Sequence, residues 1–253
     1  MKRNVRASLA AFFMLLTAAS EPVLVPDVSQ RDVEIRYSFA GAELLLFGAI
    51  LYPLGRVPSD KADIAVILRG PTQSIIVREK QRVVGLWANA ESTRFRSVPG
   101  FYSIATSRPL DKLVDERTSA IYELGLGNIQ LSPSSEASPQ ERQRFERGLI
   151  ELMKKQELFS EHPGEIEISQ DVLYRVRIAI PARVPVGKYT AETFLIKDGK
   201  ILSAATRKIV IRKSGFERFV ADAAISIPLL YGLFAIALSL GMGWLAGLAF
   251  RRF

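Results

Sequence analysis

Hydrophobic and polar positions along this chain change rhythm three times. From Pro22 to Thr106, short apolar stretches are broken by turn residues. Val33, Ile35, Tyr37 and Phe39 alternate with Glu34, Arg36 and Ser38, the period of two that half-buries a strand. Gly41 interrupts it, and Leu44 to Tyr52 forms a continuous apolar strand ended by Pro53. Ala62 to Leu68 predicts a buried strand closed by Gly70-Pro71. Ser74 to Lys80, Val83 to Ala88 and Phe101 to Thr106 complete the first set. The rhythm returns where Tyr174, Val176, Ile178 and Ile180 alternate with Arg175 and Arg177. After Pro181 and Pro185, strands at Tyr189 to Lys197 and Leu202 to Arg212 flank Asp198-Gly199. That dipeptide predicts a two-residue hairpin turn, because both central positions need positive φ.

Helical spacing replaces this alternation in an insertion over about 109–159. Ser138-Pro139-Gln140-Glu141 is a capping box with Pro in the first helical position, a strong start signal. Phe145, Leu149, Leu152 and Met153 follow on one face, with Arg142, Arg144, Arg147 and Lys154 on others. The stripe is expected to pack on the β body. Asp111 and Asp115 stand four apart on a further possible helix.

The third rhythm is the absence of one. Ala223 to Phe250 contains no Asp, Glu, Lys, Arg or His. A helix needs about 20 apolar residues to cross a ~30 Å hydrocarbon core, so this run is long enough to span with some tilt. A second capping box, Ser214-Gly215-Phe216-Glu217, opens a stem carrying Phe216, Phe219, Val220, Ala223 and Ala224 on one side. Pro228 is expected to kink the helix near the membrane interface.

Charge changes the picture at the ends. The chain carries a net charge of +8 and no cysteine, which excludes disulfides and thiolate chemistry. Lys2, Arg3 and Arg6 supply three of those charges and Arg251 with Arg252 two more, leaving +3 for the middle. No nucleic-acid partner is expected from so small an excess. The early charges precede an apolar run, Ala7 to Leu16, and small residues Thr17-Ala18-Ala19-Ser20. This is the pattern of a signal peptide over residues 1–20. The expected organisation is therefore a periplasmic β-rich domain over 21–213, followed by a stem and transmembrane helix over 214–253. Arg251-Arg252 then forms a short cytoplasmic tail, in keeping with the positive-inside rule.

Candidate chemistry is sparse. The single histidine, His162, stands beside Pro163-Gly164 and is read as a turn residue. No GxSxG, HExxH, GxGxxG or Walker loop occurs, so neither enzymatic activity nor a metal or other cofactor is expected. Two constellations stand out. Arg78, Lys80 and Arg82 alternate along a strand, with Arg69 before them and Trp87 and Asn89 after. Guanidinium forks with an aromatic floor form a candidate site for a small anion or a lipid headgroup; the same pattern fits a solvated strand face with Trp87 in the core. In the terminal helix, Ala235, Ser239, Gly243 and Gly247 recur every fourth residue, with Gly243 to Gly247 forming a GxxxG. Such a stripe lets another helix approach closely, from a multi-spanning membrane protein or a second copy.

Two resemblances follow from particular residues. Pro185-Val186-Gly187-Lys188-Tyr189-Thr190-Ala191 resembles the tyrosine corner of immunoglobulin-like sandwiches, with Ala191 where the disulfide Cys would stand. The expected fold is thus mainly β: an Ig-like β-sandwich with a helical insertion and one C-terminal transmembrane helix. The chain also resembles an alphaproteobacterial family of transmembrane proteins. The residues that carry this are Phe39-Ala40-Gly41, Leu46-Phe47-Gly48, Arg69-Gly70-Pro71, Arg78-Glu79-Lys80, Gly85-Leu86-Trp87-Ala88-Asn89, Phe101-Tyr102 and Tyr231-Gly232. The resemblance implies an inner-membrane protein with a periplasmic domain and no known activity, and an association with sulfite-exporter-type permeases. Its expected role is that of an accessory or binding partner, or else of a periplasmic small-anion sensor.

Overall fold

A computed structural model describes residues 22–36, 41–55, 61–133, 138–214, 220 and 223–250. The signal-peptide region, Tyr37 and Phe39 of the alternating strand, the stem residues Phe216 and Phe219, and Arg251-Arg252 lie outside the described residues.

Two sheets share one buried core. The smaller takes strands in the order β1-β3-β10-β9, from β1 (Val23–Val28), β3 (Ala42–Leu51), β9 (Glu167–Ser169) and β10 (Leu173–Ile180). Its ladders are antiparallel. The alternation read from the sequence is real here: Tyr174, Val176, Ile178 and Ile180 are buried, and Arg175 and Arg177 face out. Gly48 is required opposite Tyr174, since a Cβ there would lie 2.5 Å from the tyrosine hydroxyl and 2.6 Å from the Val25 carbonyl.

The larger sheet runs β2-β12-β11-β4-β7-β8. Its strands are β2 (Asp32–Arg36), β4 (Asp63–Arg69), β7 (Tyr102–Thr106), β8 (Phe159–Pro163), β11 (Gly187–Lys197) and β12 (Lys200–Ser214). β4 and β7 are buried along most of their length, as central strands with unbroken apolar runs should be. β2 lies parallel to β12, and β8 parallel to β7. Asp198 and Gly199 both take positive φ, 50° and 77°, closing the β11–β12 hairpin as its sequence required. The Tyr189 hydroxyl donates to the Pro185 carbonyl at 2.7 Å, so the tyrosine-corner hydrogen bond is formed.

The insertion contains two α-helices. α1 (Glu116–Ile121) begins at Asp115, whose carboxylate accepts from the Thr118 N–H. Asp111 lies in a separate short turn over Leu110–Lys112, so the two aspartates do not share a helix. α2 (Pro139–Lys155) starts with the expected capping box and buries Phe145, Leu149 and Met153. Its Leu152 is exposed. His162 is not in a turn: it lies in β8, opposite Ala105, with Nδ1 3.2 Å from Glu165.

The remaining strands, β5 (Thr72–Val83) and β6 (Leu86–Pro99), form a two-stranded sheet of their own. The chain ends in α3 (Pro228–Phe250). Pro228 opens this helix after a separate helical turn over 223–226. The bend at Ile227, between the two helical segments, lies where the kink is expected, and Pro228 takes the first position of α3, where its missing N–H costs nothing.

Candidate functional site

The β5–β6 hairpin gathers most of the sequence-derived candidates. Val84 and Gly85 take φ of 50° and 85° and form a two-residue turn between the closing pair Val83 and Leu86. Directly opposed residues share a face in an antiparallel ladder. Arg82 lies opposite Trp87, Lys80 opposite Asn89, and Arg78 opposite Ser92. A register shift between Glu79 and Lys80 takes up Ala90 without changing this grouping. Five of the six candidates therefore share one face: Arg78, Lys80, Arg82, Trp87 and Asn89.

The opposite face is the attached one. Val77, Thr93 and Phe95 are buried there, beside Phe145 of α2. Arg144 of α2 reaches Glu79 at 3.2 Å and Glu91 at 2.5 Å, one carboxylate from each strand. Beyond these contacts Lys80, Arg82 and the residues from Val84 to Ala90 are exposed. Val84 is 99% exposed, Leu86 77% and Trp87 72%. The indole is thus neither a core residue nor the floor of an enclosed pocket. The alternation of charge was sufficient to place the basic residues together, but nothing in the sequence showed that this hairpin leaves the body.

Arg69 stands apart from that face. It ends β4, forms ion pairs with Glu123 and Glu192, and holds its guanidinium 5.9 Å over the Tyr102 ring. Its charge is compensated by two carboxylates, as a partly buried cation requires. Tyr102 is buried beneath it, donating to the Glu123 carbonyl at 2.7 Å and accepting from the Gly125 N–H at 3.0 Å. Burial drives the phenol's pKa well above the usual tyrosine value, against the opposing pull of the Gly125 hydrogen bond. This cluster is a strut between β4, β7 and the loop after α1. Sequence reasoning assigned Arg69 to the basic set because only its neighbours in the chain were visible.

The second candidate surface is α3. Its 23 residues rise about 34 Å at 1.5 Å each, enough for a hydrocarbon core. None of its apolar window, Pro228–Gly247, is buried against the rest of the chain. Ala235, Ser239, Gly243 and Gly247 line one side by their spacing. The Ser239 hydroxyl donates to the Ala235 carbonyl at 2.8 Å, so the stripe presents no unsatisfied polar group. A Cβ added at Gly243 or Gly247 would meet nothing within 4 Å.

Among the described residues, no group of three or more His, Asp or Glu is placed to hold a metal ion. One helix among the described residues, α3, is long and apolar enough to cross a membrane, and it follows a β-rich domain, the organisation of a single-pass membrane protein. Residues 23–252 match the family described as "Putative transmembrane protein (Alph_Pro_TM)", and the chain belongs to that family. No curated protein matches it. Among solved structures it is similar to the crystal structure of Spo0M, a sporulation control protein from Bacillus subtilis, at 9% identity and a TM-score of 0.31. That match covers 82% of this chain but only 56% of the other, a likeness too remote to inform fold or function.

Proposed function

We propose that this protein is a non-enzymatic accessory or binding subunit of the bacterial inner membrane. Its Ig-like domain faces the periplasm after removal of the signal peptide, with the C-terminal arginines in the cytoplasm. Its anchor packs against a helix of a multi-spanning membrane protein, of which a sulfite-exporter-type permease is one example. The observation that carries this reading is that nothing inside the chain requires any of the four glycines of α3, and that two of them, Gly243 and Gly247, continue the row begun by Ala235 and Ser239. Glycine in a helix interior costs about 1 kcal/mol relative to alanine, whereas a small-residue stripe allows close helix–helix approach in lipid. Ser239, capped by its own helix, keeps that stripe smooth.

The test is co-purification of the tagged full-length chain from detergent-solubilised membranes. Gly243→Leu with Gly247→Leu should abolish recovery of the partner while leaving membrane insertion intact. Undiminished recovery would remove the stripe from the interface, and recovery of this chain alone would favour self-association through the same surface. The small-anion sensor is the less favoured reading, because Arg69 is held by Glu123 and Glu192 and Trp87 is open to solvent.

A further inference from the structure

The hairpin tip combines features that a solvated turn does not need. Type I′ turns favour Asn, Asp or Gly at their first central position, yet Val84 occupies it with φ of 50°. A β-branched residue at positive φ is an outlier that costs of order 1 kcal/mol or more and points towards function. The neighbouring residues, Leu86 and Trp87, are large, apolar and exposed. Behind them on the face of Trp87 stand Arg82, Lys80 and Arg78. An apolar tip with tryptophan, followed by a row of cations, matches the chemistry of a bilayer interface carrying anionic headgroups.

Topology brings this tip to the right end of the domain. β4 ends at Arg69, which pairs with Thr190 near the start of β11. The start of β11, Gly187, pairs with Ile211 near the end of β12. Pro71, at the hairpin base, lies 3.2 Å from the position a Cβ of Gly187 would take. The hairpin therefore departs from the same end of the sheet at which β12 ends. Nine residue steps separate Ser214 from Ala223, a span of at most about 32 Å. The twelve residues of β5 extend about 40 Å at 3.3 Å each. At about 40 Å against at most about 32 Å, the hairpin is long enough to cover the distance between the end of β12 and the start of the helical turn at Ala223.

We propose that Val84, Leu86 and Trp87 seat in the interface of the bilayer spanned by α3, with Arg78, Lys80 and Arg82 on anionic lipid headgroups. This contact is a second membrane attachment and does not depend on whether α3 has a protein partner. Arg82 is already oriented along the tip, its Nε donating to the Gly85 carbonyl at 3.3 Å.

The test uses the full-length chain carrying Trp244→Phe, which leaves Trp87 as the sole indole. The protein is reconstituted in nanodiscs of phosphatidylcholine alone or mixed with phosphatidylglycerol, with and without brominated acyl chains. The expected result is blue-shifted Trp87 emission quenched by the brominated lipid, more strongly in the anionic mixture. Lys80→Gln and Arg82→Gln should each lower the seated fraction about fivefold in that mixture. Emission of a hydrated indole, unquenched in both lipids, overturns the proposal. Equal quenching with and without phosphatidylglycerol overturns the headgroup contact. A blue shift that appears only on adding solubilised membrane proteins, without lipid quenching, assigns the tip to a protein surface and overturns it as well.

Discussion

Replacing Tyr102 with Phe separates a single hydroxyl from everything else that residue does. The ring stays, with its edge contact to Phe159 at 6.1 Å between centroids and its place 5.9 Å beneath the Arg69 guanidinium. What disappears is the bridge between the Glu123 carbonyl and the Gly125 N–H, in a side chain with no exposed surface. Those two backbone groups lose their partner while the packing around them is unchanged. A buried polar group left unpaired costs about 1–3 kcal/mol, and with two such groups we expect a destabilisation of about 2–3 kcal/mol. In a domain of this size 1 kcal/mol lowers the melting temperature by about 2–4 °C, so the midpoint should fall by about 4–12 °C. Circular dichroism of the full-length protein in detergent, followed on heating, reads this shift. A melting point within about 1 °C of wild type, well below that range, would refute the bridging role and make the hydroxyl incidental.

Two further outcomes follow from the geometry. Gly48→Ala drives a methyl group against the Tyr174 hydroxyl and the Val25 carbonyl; such overpacking costs about 1–3 kcal/mol, and an unchanged denaturation midpoint would contradict the close approach of β1, β3 and β10. The caps of α1 and α2 titrate in a definite direction. The Thr118 side chain and then its N–H hold Asp115 below the usual aspartate range, and the Ser138 N–H and then its hydroxyl hold Glu141 below that of glutamate. Both contributions are therefore complete above the ordinary carboxylate values and are lost as pH falls through the depressed folded values. Hydrogen exchange should show the first turns of both helices losing protection on acidification before the central strands do, and parallel loss everywhere would count against the caps.

Legibility from sequence followed the range of the interactions concerned. The membrane helix, the Asp198-Gly199 turn, the Ser138 capping box and the Tyr189 corner depend on neighbours within a few residues, and each was readable. β6 was cut short because Ala90 to Ser97 is mostly polar and small, with no apolar alternation to mark a strand. Its pairing with β5 supplies the order instead. Reading Val83 to Ala88 as one strand also concealed the turn, since Gly85 is the residue that makes the hairpin possible. β8 and β9 are polar segments fixed by their neighbours in the sheets, and no local signal announces them. For the candidate site, spacing alone grouped Arg78, Lys80 and Arg82. The partition of Arg69 into a separate strut required Glu123 and Glu192, which lie 54 and 123 positions away in the numbering.

The parallel pairing of β2 with the end of β12 has a mechanical consequence. Val210 to Ser214 is held between Asp32 to Arg36 on one side and, through Ile211, the start of β11 on the other. The component of a pull from the bilayer that acts along β12 runs parallel to the strands and across their hydrogen bonds. The ladder is loaded in shear, so its bonds resist together, where a peeling force would break them one at a time. Force on the membrane segment would thus reach the whole six-stranded sheet before it could detach the last strand.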